Sequence, residues 1–252
     1  MATKKSGQEY NVTALRKSIA VLGVIKDSSE PLGVSEIARR ADVSKNMCLR
    51  ILETLTDLGW VDQHAASPVY ELTLAPFQFF ANSRNRTTLL DLALPALKAL
   101  NRKTGESTYL CVPYQSKALM IHVIKGVKPI SVTGEIGASY DLHATAPGKV
   151  FLAWDEATEP SLKRKLKVYT DKTITGGKAL RAELDTIRAR GYALNQEEYG
   201  PGLLGMAAPV FNEDREVIAA VGIFAPTTNI APEDFEPSYA KAVCEAARAA
   251  SS

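Results

Sequence analysis

Between Gly33 and Trp60 the chain reads GVSEIARRADVSKNMCLRILETLTDLGW, and few folds admit such a stretch. It divides into two short helical patterns, Ser35 to Ala41 and Lys45 to Leu58, around the tight turn Asp42-Val43-Ser44. Ser44 is an N-cap residue for the second pattern, because its hydroxyl can accept from the free N–H groups of the first turn. Gly59 can end it in the left-handed conformation without a Cβ clash. Cys48, Ile51, Leu55 and Leu58 recur at helical spacing with Leu52 beside them, and Lys45, Asn46, Arg50 and Glu53 lie away from that stripe. A helix-turn-helix uses its second helix in this way, packing one side and offering the polar side to the major groove. A plain helical hairpin with a solvated polar face satisfies the same pattern, so the flanking segments carry weight.

Thr13 to Asp27 is amphipathic, with Leu15, Ile19, Leu22 and Ile25 as its stripe and Val21 and Val24 broadening it. After the helical pair, Trp60 to Gln63 and Val69 to Leu72 alternate around the short loop His64–Pro68, which reads as a β-hairpin. Three helices and a hairpin make a winged helix-turn-helix, and a bare helical hairpin needs no wing. Charge agrees. Residues 1–50 hold nine Lys/Arg against five Asp/Glu, a local excess of four in a chain whose net charge is only +2. The DNA-binding domain is expected over residues 10–73. Leu74 to Asn82 is apolar and aromatic and reads, with Ser83 to Arg86, as a linker helix over 74–88.

Residues 89–252 alternate between helix and strand. Leu89 to Thr104, His143 to Trp154, Lys178 to Arg190 and the stretch from Pro232 onward read as helices. Glu106 to Pro113, Ala118 to Lys125 and Ile130 to Thr133 read as strands, as do the segment after Gly191-Tyr192 and the hairpin Gly205–Phe211 with Val217–Ala225. The fold class expected is a two-domain α+β chain whose second domain is a sheet covered by helices. The three cysteines and three histidines are scattered, which predicts neither a disulfide framework nor a metal site. The longest apolar run, Val217 to Ala225, is too short to cross a bilayer, and MATKKSGQEY lacks the apolar core of a signal peptide. That opening stretch reads as a disordered tail and the protein as cytoplasmic.

With these pieces in order, the chain resembles the IclR family of bacterial transcriptional regulators over nearly its whole length. The likeness is carried by Leu142–Lys149 (LHATAPGK) before a helix, Tyr169-Thr170-Asp171, and Glu183-Leu184 with Ile187-Arg188 and Gly191-Tyr192-Ala193. Glu197-Glu198 with Gly202, Ala207–Val210, and a final apolar strand ending Ala225-Pro226 complete it. The resemblance implies that the C-terminal domain is GAF-like and binds a small organic acid. It further implies that the protein is a homodimer or homotetramer, with the 13–27 helix as a dimer contact, and that the effector changes how the paired heads sit on a palindromic double-stranded operator. By position, the effector-binding residues would be Leu142, Ala146, Pro147, Asn195, Gly205, Gly222 and Phe224. Relatives that bind glyoxylate or pyruvate tend to carry an Asp and two Ser where this chain has Asn195, Gly222 and Phe224. A less polar pocket and a larger or flatter effector, an aromatic or hydroxylated acid, are therefore expected; the opposing expectation is that Phe224 simply fills the cavity.

The DNA-binding residues expected are Ser35, Arg39, Ser44, Lys45, Asn46, Met47 and Arg50. Arg50 is the one expected to reach a base or phosphate, since Arg can grip guanine O6/N7 in a fork. Arg39 and Lys45 would anchor phosphates, although a solvated helix face explains Arg39-Arg40 as well. Asn46-Met47 and Leu49 replace residues usual in the family, and the wing tip lacks Lys or Arg, which implies an altered operator. An enzyme is not expected: no G-x-S-x-G elbow, phosphate loop or H-E-x-x-H occurs. No cofactor is expected either. Glu197-Glu198 would point to opposite faces of a strand, and His143 would cap or orient its loop. The competing class is a sensor module that acts through protein partners without specific DNA binding.

Overall fold

The computed structural model describes residues 12–64, 67–76, 84–154 and 165–251, with side chains from 89 onward in the helix that starts at Arg84. The opening tail, the centre of the wing tip, residues 77–83 of the expected 74–88 linker with its three phenylalanines, and residues 155–164 lie outside the described residues. The chain forms two compact units, Met1–Arg84 and Asn85–Ser252, so the boundary falls inside the stretch read as a linker.

In the first unit α1 (Thr13–Lys26) precedes β1 (Leu32–Gly33), α2 (Val34–Arg40), α3 (Lys45–Asp57), β2 (Val61–Gln63) and β3 (Val69–Leu72). The strands pair in the order β1-β3-β2. Ser44 Oγ accepts from the Met47 N–H at 3.3 Å. At the other end Gly59 sits at φ +71°, with its N–H on the Thr56 carbonyl and the Trp60 N–H on the Leu55 carbonyl. That pair of bonds is a Schellman cap, which only a residue free to adopt a left-handed backbone closes without strain. Val21, Ile25, Ile37, Cys48, Ile51, Leu52, Leu55, Val61 and Tyr70 make the core. The expected stripe of the first helix divides here: Val21 and Ile25 are buried, whereas Leu15 and Ile19 are 61% and 60% exposed.

The second unit runs α4 (Arg84–Thr104), β4 (Ser107–Tyr114), β5 (Lys117–Ile124), β6 (Ser139–Asp141), a 3-10 turn (Leu142–Ala144), α5 (Ala146–Trp154), α6 (Gly177–Arg190), β7 (Ala193–Gln196), β8 (Leu203–Phe211), β9 (Val217–Pro226) and α7 (Pro232–Ala250). Its six strands form one antiparallel sheet in the order β6-β5-β4-β9-β8-β7. One face packs on α4 and α7 through Leu97, Leu100, Phe235 and Val243. The other packs on α5 and α6 through Val150, Phe151, Leu180, Leu184 and Ile187. Because β8 and β9 are covered on both sides, they read as continuous apolar runs rather than alternating ones. The expected strand Ile130–Thr133 is not one. Its backbone joins no ladder, and the sheet's sixth strand is instead Ser139–Asp141, paired to β5.

Candidate functional site

The first candidate surface is the outward side of α3. Lys45, Asn46, Leu49 and Arg50 are all exposed on it, with Ser44 at its capped start. Met47 stands apart, half-buried against the domain core. On α2, Ser35 and Arg39 are exposed, and Arg39 and Arg40 both grip Glu36, at 2.6 Å each. The two guanidiniums hold the Glu36 carboxyl down at about 2. Such exposed pairs are worth little, so a phosphate can compete for either arginine. In the wing, His64 Nε2 lies 3.0 Å from Glu71 Oε1.

The second candidate site lies on the α5 side of the large sheet, where register aligns three of the expected residues. Asn195 on β7 faces Gly205 on β8, which faces Phe224 on β9. A Cβ built on Gly205 would lie 3.4 Å from the Asn195 Cβ and 3.9 Å from the Ala146 Cβ, so Ala146 roofs this row. Asn195 is buried, and its Oδ1 accepts the Glu198 N–H at 2.8 Å, which turns Nδ2 the other way. Leu142 packs its backbone on Gly148, where any Cβ would collide with it. Pro147 is buried in the first turn of α5. Gly222 occupies the neighbouring row, facing Ala207 and Tyr109. The expected effector residues thus gather at one end of α5 and the strands beneath it, with Leu142 and Pro147 as supports.

Several contacts were not anticipated. Lys149 is 1% exposed and lies 2.5 Å from Glu198 Oε1, while Glu198 Oε2 is buried without a partner among the described residues. Burial outweighs the Lys149 ammonium and pushes the Glu198 carboxyl above its ordinary range. Glu197 is not on a strand: it sits at φ +65° just past β7 and pairs with Lys172. The two carboxylates are separated by that kink rather than by strand alternation. Thr170 and Thr173 donate to the Glu197 and Glu198 carbonyls at 2.8 and 2.7 Å. His143 Nε2 lies 2.8 Å from the Lys167 carbonyl and so tethers two loops, while Tyr169 hydrogen-bonds Asp141. Tyr109, fully buried, stacks on Phe224. Partnering of this kind depends on contacts between distant segments, and no local pattern signals it. Among the described residues no group of His, Cys, Asp and Glu is placed to hold a metal, and no helix is long and apolar enough to cross a membrane.

A helix-turn-helix with a wing, joined to this particular sheet, has close parallels. The helix-turn-helix domain of IclR proteins matches residues 14–65, and the bacterial transcriptional regulator IclR C-terminal domain matches residues 82–252. The chain belongs to the IclR family. Proteins similar to it include the glycerol operon regulatory protein of Streptomyces coelicolor, 33% identical over 96% of both chains. The regulator KdgR of Escherichia coli is 32% identical over 90% of this chain and 87% of its own. An IclR regulator from Alicyclobacillus acidocaldarius superposes with a TM-score of 0.84 at 28% identity, over 96% of this chain and 98% of that one. An IclR homolog from Microbacterium hydrocarbonoxydans, solved with 4-hydroxybenzoate, shares the fold with a TM-score of 0.85 at 22% identity, over 94% and 97%. As an IclR protein the chain is a transcriptional regulator with a helix-turn-helix DNA-binding domain and a GAF-like second domain.

Proposed function

We propose that this IclR regulator reads a palindromic operator as a homodimer or tetramer, and that a small organic acid bound on the α5 side of the sheet sets its affinity for that operator. The observation that carries this reading is the outward face of α3, where Asn46, Leu49 and Arg50 stand exposed from a rigidly capped helix beside a wing. Arg50 and Asn46 supply donors for base edges, and Leu49 offers apolar contact to a thymine methyl. Lys45, Arg39 and Ser35 supply phosphate contacts that position the head. The effector half of the reading is supported by the convergence of Ala146, Asn195, Gly205 and Phe224. A relative of the same fold also holds 4-hydroxybenzoate. Leu15, Ile19 and Leu58 leave an apolar groove between α1 and α3 open, which supports pairing of heads.

The test is binding of the purified protein to DNA from upstream of its own gene, titrated with salt against unrelated DNA of equal length. The expected result is a specific complex that survives at physiological salt, and its loss on Arg50→Ala by about 1–3 kcal/mol with relaxed sequence preference. Binding no tighter than the control, lost together with it as salt rises, is charge attraction alone and favours a sensor that works through protein partners.

A further inference from the structure

Register sorts the α5 face of the sheet into rows, and two adjacent rows hold an unusual pair of large side chains. Asn195, Gly205 and Phe224 form one row; Ala193, Ala207, Gly222 and Tyr109 form the next. Between β7 and β4 these rows carry only small side chains, Asn195 and two rings. The Tyr109 and Phe224 rings stack with centroids 4.3 Å apart and planes at 27°. Tyr109 is held on every side. Its hydroxyl donates to the Met206 carbonyl at 3.1 Å, and a Cβ on Gly222 would collide with that hydroxyl and with the same carbonyl. Glycine at 222 is therefore the socket that lets the Tyr109 ring lie flat across the sheet. Phe224, by contrast, stays partly exposed. The result is a rigid aromatic plate, backed by a buried phenol, with one ring accessible.

We infer that the Tyr109–Phe224 stack is the specificity element of the effector site and that it selects planar, ring-bearing acids over acids of equal size that lack a π-face. This rests on the effector-site reading above. Phe224 touches the ligand; Tyr109 is a positioning residue that fixes the tilt of Phe224. An aromatic ring approaches the Phe224 face in an offset stack, where quadrupole and dispersion terms add to area burial. A saturated ring of the same size buries similar apolar area, but its axial hydrogens keep it from that approach. Asn195 stands two strands from Phe224, roughly 10 Å at ordinary strand spacing, the span of a ring and its carboxylate. With Oδ1 committed to the Glu198 N–H, Nδ2 is the group turned to donate to that carboxylate.

The experiment is calorimetric titration of the full-length protein with matched pairs, benzoate against cyclohexanecarboxylate and phenylacetate against cyclohexylacetate, with pyruvate as a small reference. The planar member of each pair is expected to bind about two- to tenfold tighter, the worth of one aromatic pair. Phe224→Leu brings that ratio to about one. Tyr109→Phe keeps the ring and most of the ratio, and Tyr109→Leu lowers it. General loss of stability shifts both members of a pair alike and leaves the ratio untouched. Equal affinities within the pairs in the unaltered protein overturn the inference and leave the effector site standing. So does a ratio that survives Phe224→Leu. If none of the five acids binds, the effector-site reading fails and takes the inference with it.

Discussion

Gly222 is the residue whose replacement says most about the sheet. A methyl there meets the Met206 carbonyl and the Tyr109 hydroxyl at once, and neither is the free end of a flexible chain. Gly222→Ala is expected to cost about 1–3 kcal/mol, as overpacking does, in a thermal or denaturant melt. In a Tyr109→Leu background the same change should cost less, since the hydroxyl and the ring carbon that the methyl meets are both gone; an equal cost would assign it to the Met206 carbonyl alone. Glu198 invites a different measurement. Its folded-state carboxyl titrates above the ordinary range because it is buried, so the native state binds the proton more tightly than the unfolded chain. Stability from this group is therefore present at low pH and falls as pH rises from the unfolded value, about 4.3, through the raised one. Glu198→Gln should flatten that fall in melts taken from pH 4 to 7; an unchanged slope would assign it to other groups. Tyr109 did not stand out in the sequence, and Lys149 did so only as the end of a motif, because what makes them matter is register and a partner far along the chain.

At the scale of elements, α3 is the piece written most plainly in its own residues. Ser44, the stripe Cys48-Ile51-Leu52-Leu55 and Gly59 are local signals that the fold keeps, whereas Leu58, read as the end of that stripe, is the C-cap and stays exposed. Ser44→Ala should cost about 1 kcal/mol, the usual worth of an N-cap, and loosen the first turn that carries Lys45 and Asn46. Operator affinity should then fall more than the melting temperature implies; equal falls would mean the cap serves stability only. The hairpin β8–β9 was legible for the same kind of reason, two apolar runs around Asn212-Glu213-Asp214. Ile130–Thr133 misled because Ile-Ser-Val-Thr alternates like a strand, yet alternation does not say whether a neighbour is there to pair with. β6 was missed for the converse reason: Ser-Tyr-Asp is unremarkable alone and becomes a strand only beside β5. In α1 the period found the apolar stripe but could not say which part of it turns inward.

At the scale of the whole molecule, the uncovered part of that stripe bears on assembly. Leu15 and Ile19, with Leu58 across the groove, are exposed apolar side chains that the proposed pairing of heads would cover. The double substitution Leu15→Glu with Ile19→Glu should shift the mass found by light scattering toward smaller species while the large sheet's own melt stays in place. Unchanged mass would move the contact elsewhere. The big sheet meets the opposite hazard, that of being extended by another chain, and its outline answers it. The strands at its centre span eight to ten residues, whereas the two at its rims, β6 and β7, have three and four. Just past β7, where a further strand would look for carbonyls, the Thr170 and Thr173 hydroxyls already hold those of Glu197 and Glu198. Rims this short, and flanked by carbonyls already taken, are poor templates for fibrils. The threonine pair that looks like loop stitching thereby leaves a newcomer fewer free acceptors at that rim.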